Sequence, residues 1–253
     1  MNEGSGLQCP AGYTAVHLDA VGSTNVEAFE RARQGAASGL WVVARCQTAG
    51  RGRRGRVWTS EPGNLYSSLM LRDPIEEARL GELPLVVALA VHDAISAALP
   101  PFVRGDLAIK WPNDILYAGA KLCGILIEAV ATPEGRVVVI GIGVNCAHHP
   151  DPTLYLATDL AEIGYPTEPE VMFSLLSASM ARRLSEWKTG EFAGIREAWL
   201  SRARGVGDPI TVRLPAREIS GVFAGLDDDG RLLLRHEGGL EAISAGDVFF
   251  GSS

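Results

Sequence analysis

The chain has 253 residues, of which 47% are hydrophobic and 21% charged, so it can bury a substantial core as one large domain or as a large and a small one. Its 23 basic and 30 acidic residues argue against a general affinity for nucleic acid or for an anionic membrane. Cys9, Cys46, Cys123 and Cys146 lie far apart without a C-x-x-C pair, which favours neither a disulfide framework nor a zinc site and fits a reducing cytoplasm. Met1 begins a short polar segment that lacks the basic and apolar regions of a secretory signal.

A first helix is predicted over residues 23–35, STNVEAFERARQG. Thr24 stands three residues before Glu27, which is the spacing of a capping box, and Gly35 is a natural C-cap. A helix N-terminus offers unpaired N–H groups and hydroxyls, so the same residues also suit a neutral polar head group or an anion.

Two probable strands, at residues 40–44 and 64–72, flank an arginine-rich loop. A mostly apolar helix then begins near Leu83. The apolar run 83–99 is close to the lower length limit of a membrane span, but it contains polar residues such as Asp93, so a buried core helix is the better interpretation.

Three short apolar runs, at residues 107–111, 122–130 and 136–144, are separated by good turn formers and predict adjacent, mainly antiparallel strands. Two helices follow, at residues 169–188 and 192–204, and are expected to pack on one face of the sheet.

After Arg204 the sequence changes to short β-rich runs, with a strong hairpin signal at Asp229-Gly230. This predicts a small all-β barrel or sandwich of about 50 residues. The predicted strands lie at residues 208–214, 218–226, 231–236 and 241–250.

The loop within residues 47–58, QTAGRGRRGRVW, places four arginines among three glycines. Glycine lets the backbone approach a ligand closely, and arginine matches phosphate or carboxylate oxygens with two parallel hydrogen bonds. The pattern predicts phosphate binding. The alternatives are a solvated loop without a ligand and an RG-type nucleic-acid segment, although such segments usually occur in repeated, basic, disordered context.

The common nucleotide and hydrolase signatures are missing. There is no G-x-x-x-x-G-K-[ST] sequence, no G-x-G-x-x-G between a strand and a helix, and no G-x-S-x-G elbow. His148 and His149 beside Pro150 indicate a polar loop rather than a metal site.

Three further motifs lie at turns and strand ends, where sites are usually built: KWPNDI at 110–115, KLCGILIE at 121–128 and GIGVN at 141–145. Taken alone, Lys110 and Asp114 would form a surface ion pair, and the glycines would mark an ordinary strand end.

In this order, STN, QTAGRGRRGRVW, KWPNDI, KLCGILIE and GIGVN closely resemble the motif series of the biotin protein ligases, from about residue 17 to the C-terminus. The resemblance implies an ATP-dependent ligase that forms biotinoyl-5′-adenylate and transfers biotin to a lysine of a biotin carboxyl carrier protein or domain. It also implies an α+β fold in which a mixed, mainly antiparallel sheet packs with helices, as in class II aminoacyl-tRNA synthetases, and a small C-terminal SH3-like β-barrel follows. The expected domains are a catalytic biotin- and ATP-binding domain at 1–204 and the barrel at 205–253.

By the same resemblance, one group of residues binds biotin and another binds ATP, with Lys121 and Arg51 also assigned to catalysis. The implied biotin-binding residues are Ser23, Thr24, Asn25, Gln47, Gly50, Arg51, Gly52, Arg53, Lys121 and Gly124. The implied ATP-binding residues are Arg51, Arg53, Trp58, Lys110, Asn113, Asp114, Lys121 and Asn145, with Trp58 and Asn145 near adenine and Asp114 on the magnesium side.

The resemblance also bears on partners and location. We expect a cytoplasmic enzyme that uses ATP and Mg²⁺ and does not bind a membrane. We also expect no DNA binding, because only about 20 residues precede Ser23, too few for the winged helix-turn-helix of some family members. The sequence does not decide whether the protein forms a homodimer, since the family includes both monomers and dimers formed through the sheet edge. Two alternatives remain: a lipoate ligase, which the arginine loop disfavours, and a nucleic-acid-binding module without catalysis.

Overall fold

The computed structural model describes residues 7–150 and 156–251. The segment that begins at Met1 and the last residues of the predicted C-terminal domain lie outside these ranges. Within them, the chain forms four α-helices: α1 (Thr24–Arg33), α2 (Leu83–Ala98), α3 (Pro169–Lys188) and α4 (Phe192–Leu200). The first seven strands are β1 (Thr14–Val21), β2 (Leu40–Gln47), β3 (Leu65–Arg72), β4 (Leu107–Lys110), β5 (Asp114–Tyr117), β6 (Ala120–Thr132) and β7 (Gly135–Val144).

These strands form one sheet in the order β1-β2-β3-β7-β6-β5-β4. Strand β1 runs parallel to β2, and every other neighbouring pair is antiparallel, which confirms the predicted mixed, mainly antiparallel sheet. Strands β1 and β5 were not among the predicted elements. Their sequences are short or half-exposed, but β1 does alternate apolar Val16 and Leu18 with polar His17 and Asp19, the pattern of a half-buried strand.

Each face of this sheet is covered by helices. Helix α1 buries Ala28 and Ala32 against Val42 and Val139 on one face. Helices α2 and α3 cover the other face within the main hydrophobic core, and α4 packs mainly against these two helices, so the expectation that α4 packs on the sheet itself is not met. The helical stretch Glu77–Ala98 is long and apolar enough to cross a membrane, but 61% of its apolar window is buried inside the protein. The expected core helix is therefore confirmed.

Five further strands follow: β8 (Pro209–Arg213), β9 (Glu218–Leu226), β10 (Leu232–His236), β11 (Gly239–Ile243) and β12 (Asp247–Phe250). They form a second, antiparallel sheet in the order β11-β10-β9-β8-β12. This agrees with the predicted SH3-like barrel, and Asp229-Gly230 lies in the turn between β9 and β10. The predicted strand at 241–250 is in fact two strands.

The start of α1 differs from the predicted capping box. Ser23 is the N-cap residue, Thr24 is already helical, and Ser23 makes no side-chain capping bond. The Thr24 hydroxyl is used instead in contacts with the sheet. The predicted end of the helix is confirmed, because Gly35 directly follows the C-cap and has a positive φ of 86°.

Candidate active site

A cavity of about 290 Å³ opens where β6 and β7 meet the N-terminus of α1 and the arginine loop. Its size approaches that of small-molecule sites. The walls include most of the site residues predicted from the sequence, namely Ser23, Thr24, Asn25, Gln47, Arg51, Gly52, Arg53, Trp58, Asp114, Lys121, Gly124 and Asn145.

One end of the cavity carries neutral polar groups that are fixed by hydrogen bonds. The backbone N–H and the hydroxyl of Thr24 lie 2.8 and 3.1 Å from Gln47 Oε1, and Gln47 Nε2 donates to Ser60 Oγ at 2.9 Å. The buried Ser68 hydroxyl lies 2.7 Å from Thr24 Oγ1 and 2.6 Å from Asn25 Oδ1. These side chains therefore present a preorganised set of neutral donors and acceptors.

Asn25 is oriented from both sides. Its Nδ2 donates to Glu128 Oε2 at 2.8 Å, while its Oδ1 faces Ser68. Gly141 lies directly beneath the amide, and a Cβ atom at that position would overlap Asn25 Oδ1. The first glycine of the GIGVN motif is thus required by the close approach of the Asn25 side chain.

The arginine loop folds back on itself. The backbone N–H of Trp58 donates to Gly50 O at 3.0 Å, and the backbone N–H of Gly52 donates to Arg56 O at 2.7 Å. Gly50 does not line the cavity. It is needed at the base of the loop, where a Cβ atom would overlap Trp58 O and stand 2.6 Å from Ser60 Oγ.

The other end of the cavity is cationic, and each of its cations contacts a carboxylate. Lys121 Nζ lies 2.7 Å from Asp114 Oδ1, and Arg51 Nη2 lies 3.2 Å from Glu128 Oε2. Arg53 Nη2 lies 3.6 Å from Asp247. A phosphate or carboxylate ligand would have to take over these contacts, since it uses the same N–H donors.

Between the two ends, the Trp58 indole lies against a floor made of glycine. Gly124 and Gly143 are partners across β6 and β7, and a Cβ atom would stand 2.7 Å from the indole at Gly124 and 2.5 Å from it at Gly143. The indole N–H is buried and has no hydrogen-bond acceptor among the residues that the structure describes. Lys121 Nζ lies 5.7 Å from the ring centre.

The segment after β7 supports the wall beside Lys121. Residues 156–158 run along Lys121, which donates its backbone N–H to Leu156 O at 2.8 Å. Asn145, at the end of β7, donates its Nδ2 to Thr158 O at 3.0 Å and is almost fully buried.

Two other predicted residues do not line the cavity. Lys110 Nζ lies 5.6 and 5.9 Å from the ring centres of Phe249 and Phe250 in the second sheet. Burial lowers the pKa of Lys110, and the nearby Asp114 charge partly opposes this effect. Asn113 is 5% exposed, and its Oδ1 accepts a 3.4 Å hydrogen bond from Arg53 Nη1.

Sequence reasoning assigned no role to Glu128, Ser68 or Asp247. Glu128 connects the polar and cationic ends through Asn25 and Arg51, whereas Asp247 belongs to β12, about 190 residues from the loop that it contacts. Glu128 closes the KLCGILIE motif, which was the one available signal. Nothing local marked the other two, because their contacts exist only in the folded chain.

A separate cluster near the predicted polar loop brings His149, Asp159 and Glu162 together, with ligand atoms within 4.8 Å of one another. His149 Nδ1 and Asp159 Oδ2 are only 2.6 Å apart, which is the distance of a direct hydrogen bond. The geometry is accounted for by this contact, and we assign the cluster no metal.

Comparisons with known proteins converge on one family. Residues 20–145 match the biotin/lipoate A/B protein ligase family, and residues 205–251 match the biotin protein ligase C terminal domain. The chain is 42% identical over 239 residues to a biotin–acetyl-CoA-carboxylase ligase of Paracoccus denitrificans, an alignment that covers 90% of this chain and 97% of that protein.

Solved structures show the same likeness. The fold matches biotin protein ligase from Aquifex aeolicus in complex with biotin and ATP, with a TM-score of 0.80, 28% identity and coverage of 95% of this chain and 99% of that one. It also matches biotin protein ligase from Leishmania major in complex with biotinyl-5-AMP, with a TM-score of 0.65, 29% identity and coverage of 94% and 100%.

Proposed function

Because the chain belongs to the biotin protein ligase family, we propose that it joins biotin to ATP and then transfers the biotinoyl group to a lysine of a carboxyl carrier protein. The observation that carries the proposal is the cavity itself. Neutral polar groups at one end and cationic side chains at the other share one glycine-lined floor, which suits a ligand with a neutral polar head and an anionic tail.

The neutral end suits the ureido ring of biotin, which has two N–H donors and one carbonyl acceptor. Thr24, Asn25 and Gln47 offer both kinds of partner without a net charge. Asn25 is held by a carboxylate on one side and a hydroxyl on the other, so little side-chain entropy is lost when the head group binds.

The cationic end suits the adenylation step. An oxygen of the biotin carboxylate attacks the α-phosphorus of ATP, a new C–O–P bond forms, and the bond to the bridging oxygen breaks as pyrophosphate leaves with the electron pair. Negative charge accumulates at the α-phosphate in the transition state. Lys121 and Arg51 are positioned to offset that charge, and no protein nucleophile is required.

In the second step, the neutral amine of a carrier lysine attacks the biotinoyl carbonyl carbon, and the bond from that carbon to the phosphate oxygen breaks. An amide bond forms, AMP leaves with the electron pair, and the amine nitrogen gives up a proton to solvent. The mixed anhydride is reactive toward water, so the loop at 50–58 has to cover it until the carrier arrives. The arginines of that loop supply contacts to the phosphate while the loop is closed.

We propose that the reaction requires Mg²⁺, bound beside Asp114. The Asp114 carboxylate lines the cavity beside Lys121, and carboxylate oxygen is the kind of ligand that this ion prefers. When bound, the ion would supply charge neutralisation of the departing pyrophosphate.

The proposed domains are 1–204 for catalysis and 205–253 for the barrel. We place the protein in the cytoplasm, in line with its four free cysteines. Strands β1 and β4 are the outermost strands of the first sheet, but β4 already bonds to residues 202–204 on its outer side, so we propose that a homodimer paired through the sheet edge would meet at β1. Sedimentation at two protein concentrations, with and without biotin and ATP, measures whether one forms.

Exchange of labelled pyrophosphate into ATP tests the adenylation step. We expect exchange that requires biotin and Mg²⁺ and that lipoate cannot replace. Exchange that required lipoate would identify a lipoate ligase, and no exchange with either acid would leave a binding module. Transfer is measured separately, as the incorporation of biotin into a purified carboxyl carrier domain. No incorporation is expected when the acceptor lysine of that domain is replaced by arginine.

A further inference from the structure

A chain of four side-chain oxygens lies at the neutral end of the cavity. It runs from Asn25 Oδ1 to the hydroxyl of Ser68, then to the hydroxyl of Thr24, and ends at Gln47 Oε1, with oxygen–oxygen distances of 2.6, 2.7 and 3.1 Å. Ser68 is 0% exposed, whereas Thr24 and Gln47 line the cavity. All four residues belong to α1, β2 or β3, so the chain does not involve the loop at 50–58.

Both ends of this chain are acceptors. Glu128 Oε2 and Leu126 O lie 2.8 and 3.4 Å from the Asn25 amide, and a carboxylate and a carbonyl only accept, so the amide nitrogen faces them and the amide oxygen faces Ser68. At the other end, the backbone N–H of Thr24 donates to Gln47 at 2.8 Å, which requires the oxygen of the Gln47 amide at that point. Neither amide can therefore supply a proton to the chain.

The chain has one proton too few. Ser68 and Thr24 carry one hydroxyl proton each, yet the three oxygen–oxygen contacts need one proton apiece. The two shorter contacts have the length of an O–H···O hydrogen bond and hold the protons, so Ser68 donates to Asn25 and Thr24 donates to Ser68. The longest contact, 3.1 Å between Thr24 Oγ1 and Gln47 Oε1, is left without a proton.

We propose that Ser68 is a positioning residue that draws the Thr24 proton away from the cavity and leaves Thr24 Oγ1 and Gln47 Oε1 as a paired acceptor for one N–H donor of the ligand. A ring N–H of the ureido group supplies the missing proton, whereas a head group with only an acceptor there leaves both oxygens unpaired. Selectivity for an N–H head group is then set by a buried hydroxyl on β3. This inference rests on the proposed function, because it requires biotin to be the ligand at the neutral end.

The test compares biotin with its two cyclic carbamate isomers, in each of which one ring N–H is replaced by oxygen. Calorimetry without ATP measures the three affinities, so that no adenylation occurs. In the unaltered protein one isomer should bind at least about tenfold more weakly than biotin, because it leaves two buried acceptors without a donor. In Ser68→Ala the Thr24 proton is free to turn toward the ring oxygen, and the same isomer should bind within about threefold of biotin.

The ratio of the two affinities separates positioning from a merely structural role. A general disturbance of the pocket weakens biotin and the isomer alike and leaves their ratio unchanged. Ser67→Ala is the matched control, since it removes the neighbouring buried hydroxyl of β3, which lies 3.5 Å from Ile142 O, and it should keep the ratio of the unaltered protein. An unchanged ratio in Ser68→Ala, or an equal change in Ser67→Ala, would overturn the role of Ser68.

A second variant covers the case in which Ser68→Ala fails to fold. Ser68→Cys fills nearly the same space, and because a thiol is a weak donor and a weak acceptor, the ratio should fall here too. The unaltered protein gives a further result by itself: if both carbamate isomers bind as tightly as biotin, the paired acceptor does not exist. If the unaltered protein binds no biotin, the proposed function fails, and this result is distinct from an unchanged ratio in the Ser68 variants.

Discussion

Replacing Lys121 with alanine should slow adenylation far more than it weakens biotin binding. The ammonium group lies at the cationic end of the cavity, 2.7 Å from Asp114 Oδ1, whereas the neutral end is built by other side chains. Its charge is needed most where negative charge develops, in the transition state. Loss of one such electrostatic contact typically costs about 10²–10³ in rate, or about 3–4 kcal/mol.

Lys121 also holds Asp114, the proposed Mg²⁺ ligand, through their 2.7 Å contact. Asp114→Asn keeps the shape of that side chain but removes the charge that the ion needs. The double variant Lys121→Ala, Asp114→Asn should therefore form adenylate no faster than Lys121→Ala alone and should need a higher Mg²⁺ concentration. Lys188→Ala, at the exposed end of α3, is the matched control and should change nothing.

The assay is single-turnover formation of biotinoyl-adenylate by rapid quench at saturating biotin and ATP, with biotin affinity measured separately by calorimetry. Biotin affinity should change by less than about threefold, as expected for an interaction that matters mainly in the transition state. A single-turnover rate for Lys121→Ala within about threefold of the unaltered protein would refute the reasoning and remove Lys121 from the catalytic residues.

Three further predictions follow from single contacts. Gly141→Ala should displace the Asn25 amide, because the added methyl group would overlap it, and should weaken biotin binding at least about tenfold by calorimetry; unchanged affinity would show that Asn25 does not contact biotin. Arg53→Gly should release the adenylate faster by about tenfold or more, since a hydrogen bond to a charged group is worth about 1.5–3 kcal/mol, and should label bystander albumin with biotin; an unchanged off-rate and unlabelled albumin argue against a clamp. Burial lowers the pKa of His92 to about 4 in the folded state, below its usual 6.5, so the unfolded state takes up the proton first as the pH falls. Between pH 6.5 and pH 4.5 the free energy of unfolding should fall by on the order of 2–3 kcal/mol through His92, and a denaturant titration of His92→Gln should lack that part of the slope.

Hydrophobic periodicity and turn residues predicted those helices and strands whose own sequences determine them. The antiparallel strands at 122–130 and 136–144 and the helix at 169–188 have clear periodicity and turn signals, and the structure contains all three. Strand β5 escaped because it is only four residues long, Asp114–Tyr117, and lies between two turns. Its pairing with β4 and β6 is a tertiary property that four residues cannot signal.

The same division applies to the site. Most of the site residues predicted from the motif series line the cavity, although their assigned roles stay predictions. Lys110 belongs to the KWPNDI motif, but its ammonium group lies against the aromatic rings of β12 and not in the cavity. This position depends on how the second sheet packs against the first, which no local pattern can predict. Glu128 was within a quoted motif without an assigned role, because its contact with Arg51 spans 77 positions of sequence.

The glycine floor beneath Trp58 restricts which substitutions relatives of this protein can accept during evolution. Gly124 and Gly143 leave the space that the indole occupies, so the three positions are coupled although they come from a loop and two strands. A relative with a larger residue at either glycine has to hold its loop aromatic residue elsewhere. Chimaeras that exchange this loop between relatives should therefore work only when both glycines are inherited together with the tryptophan.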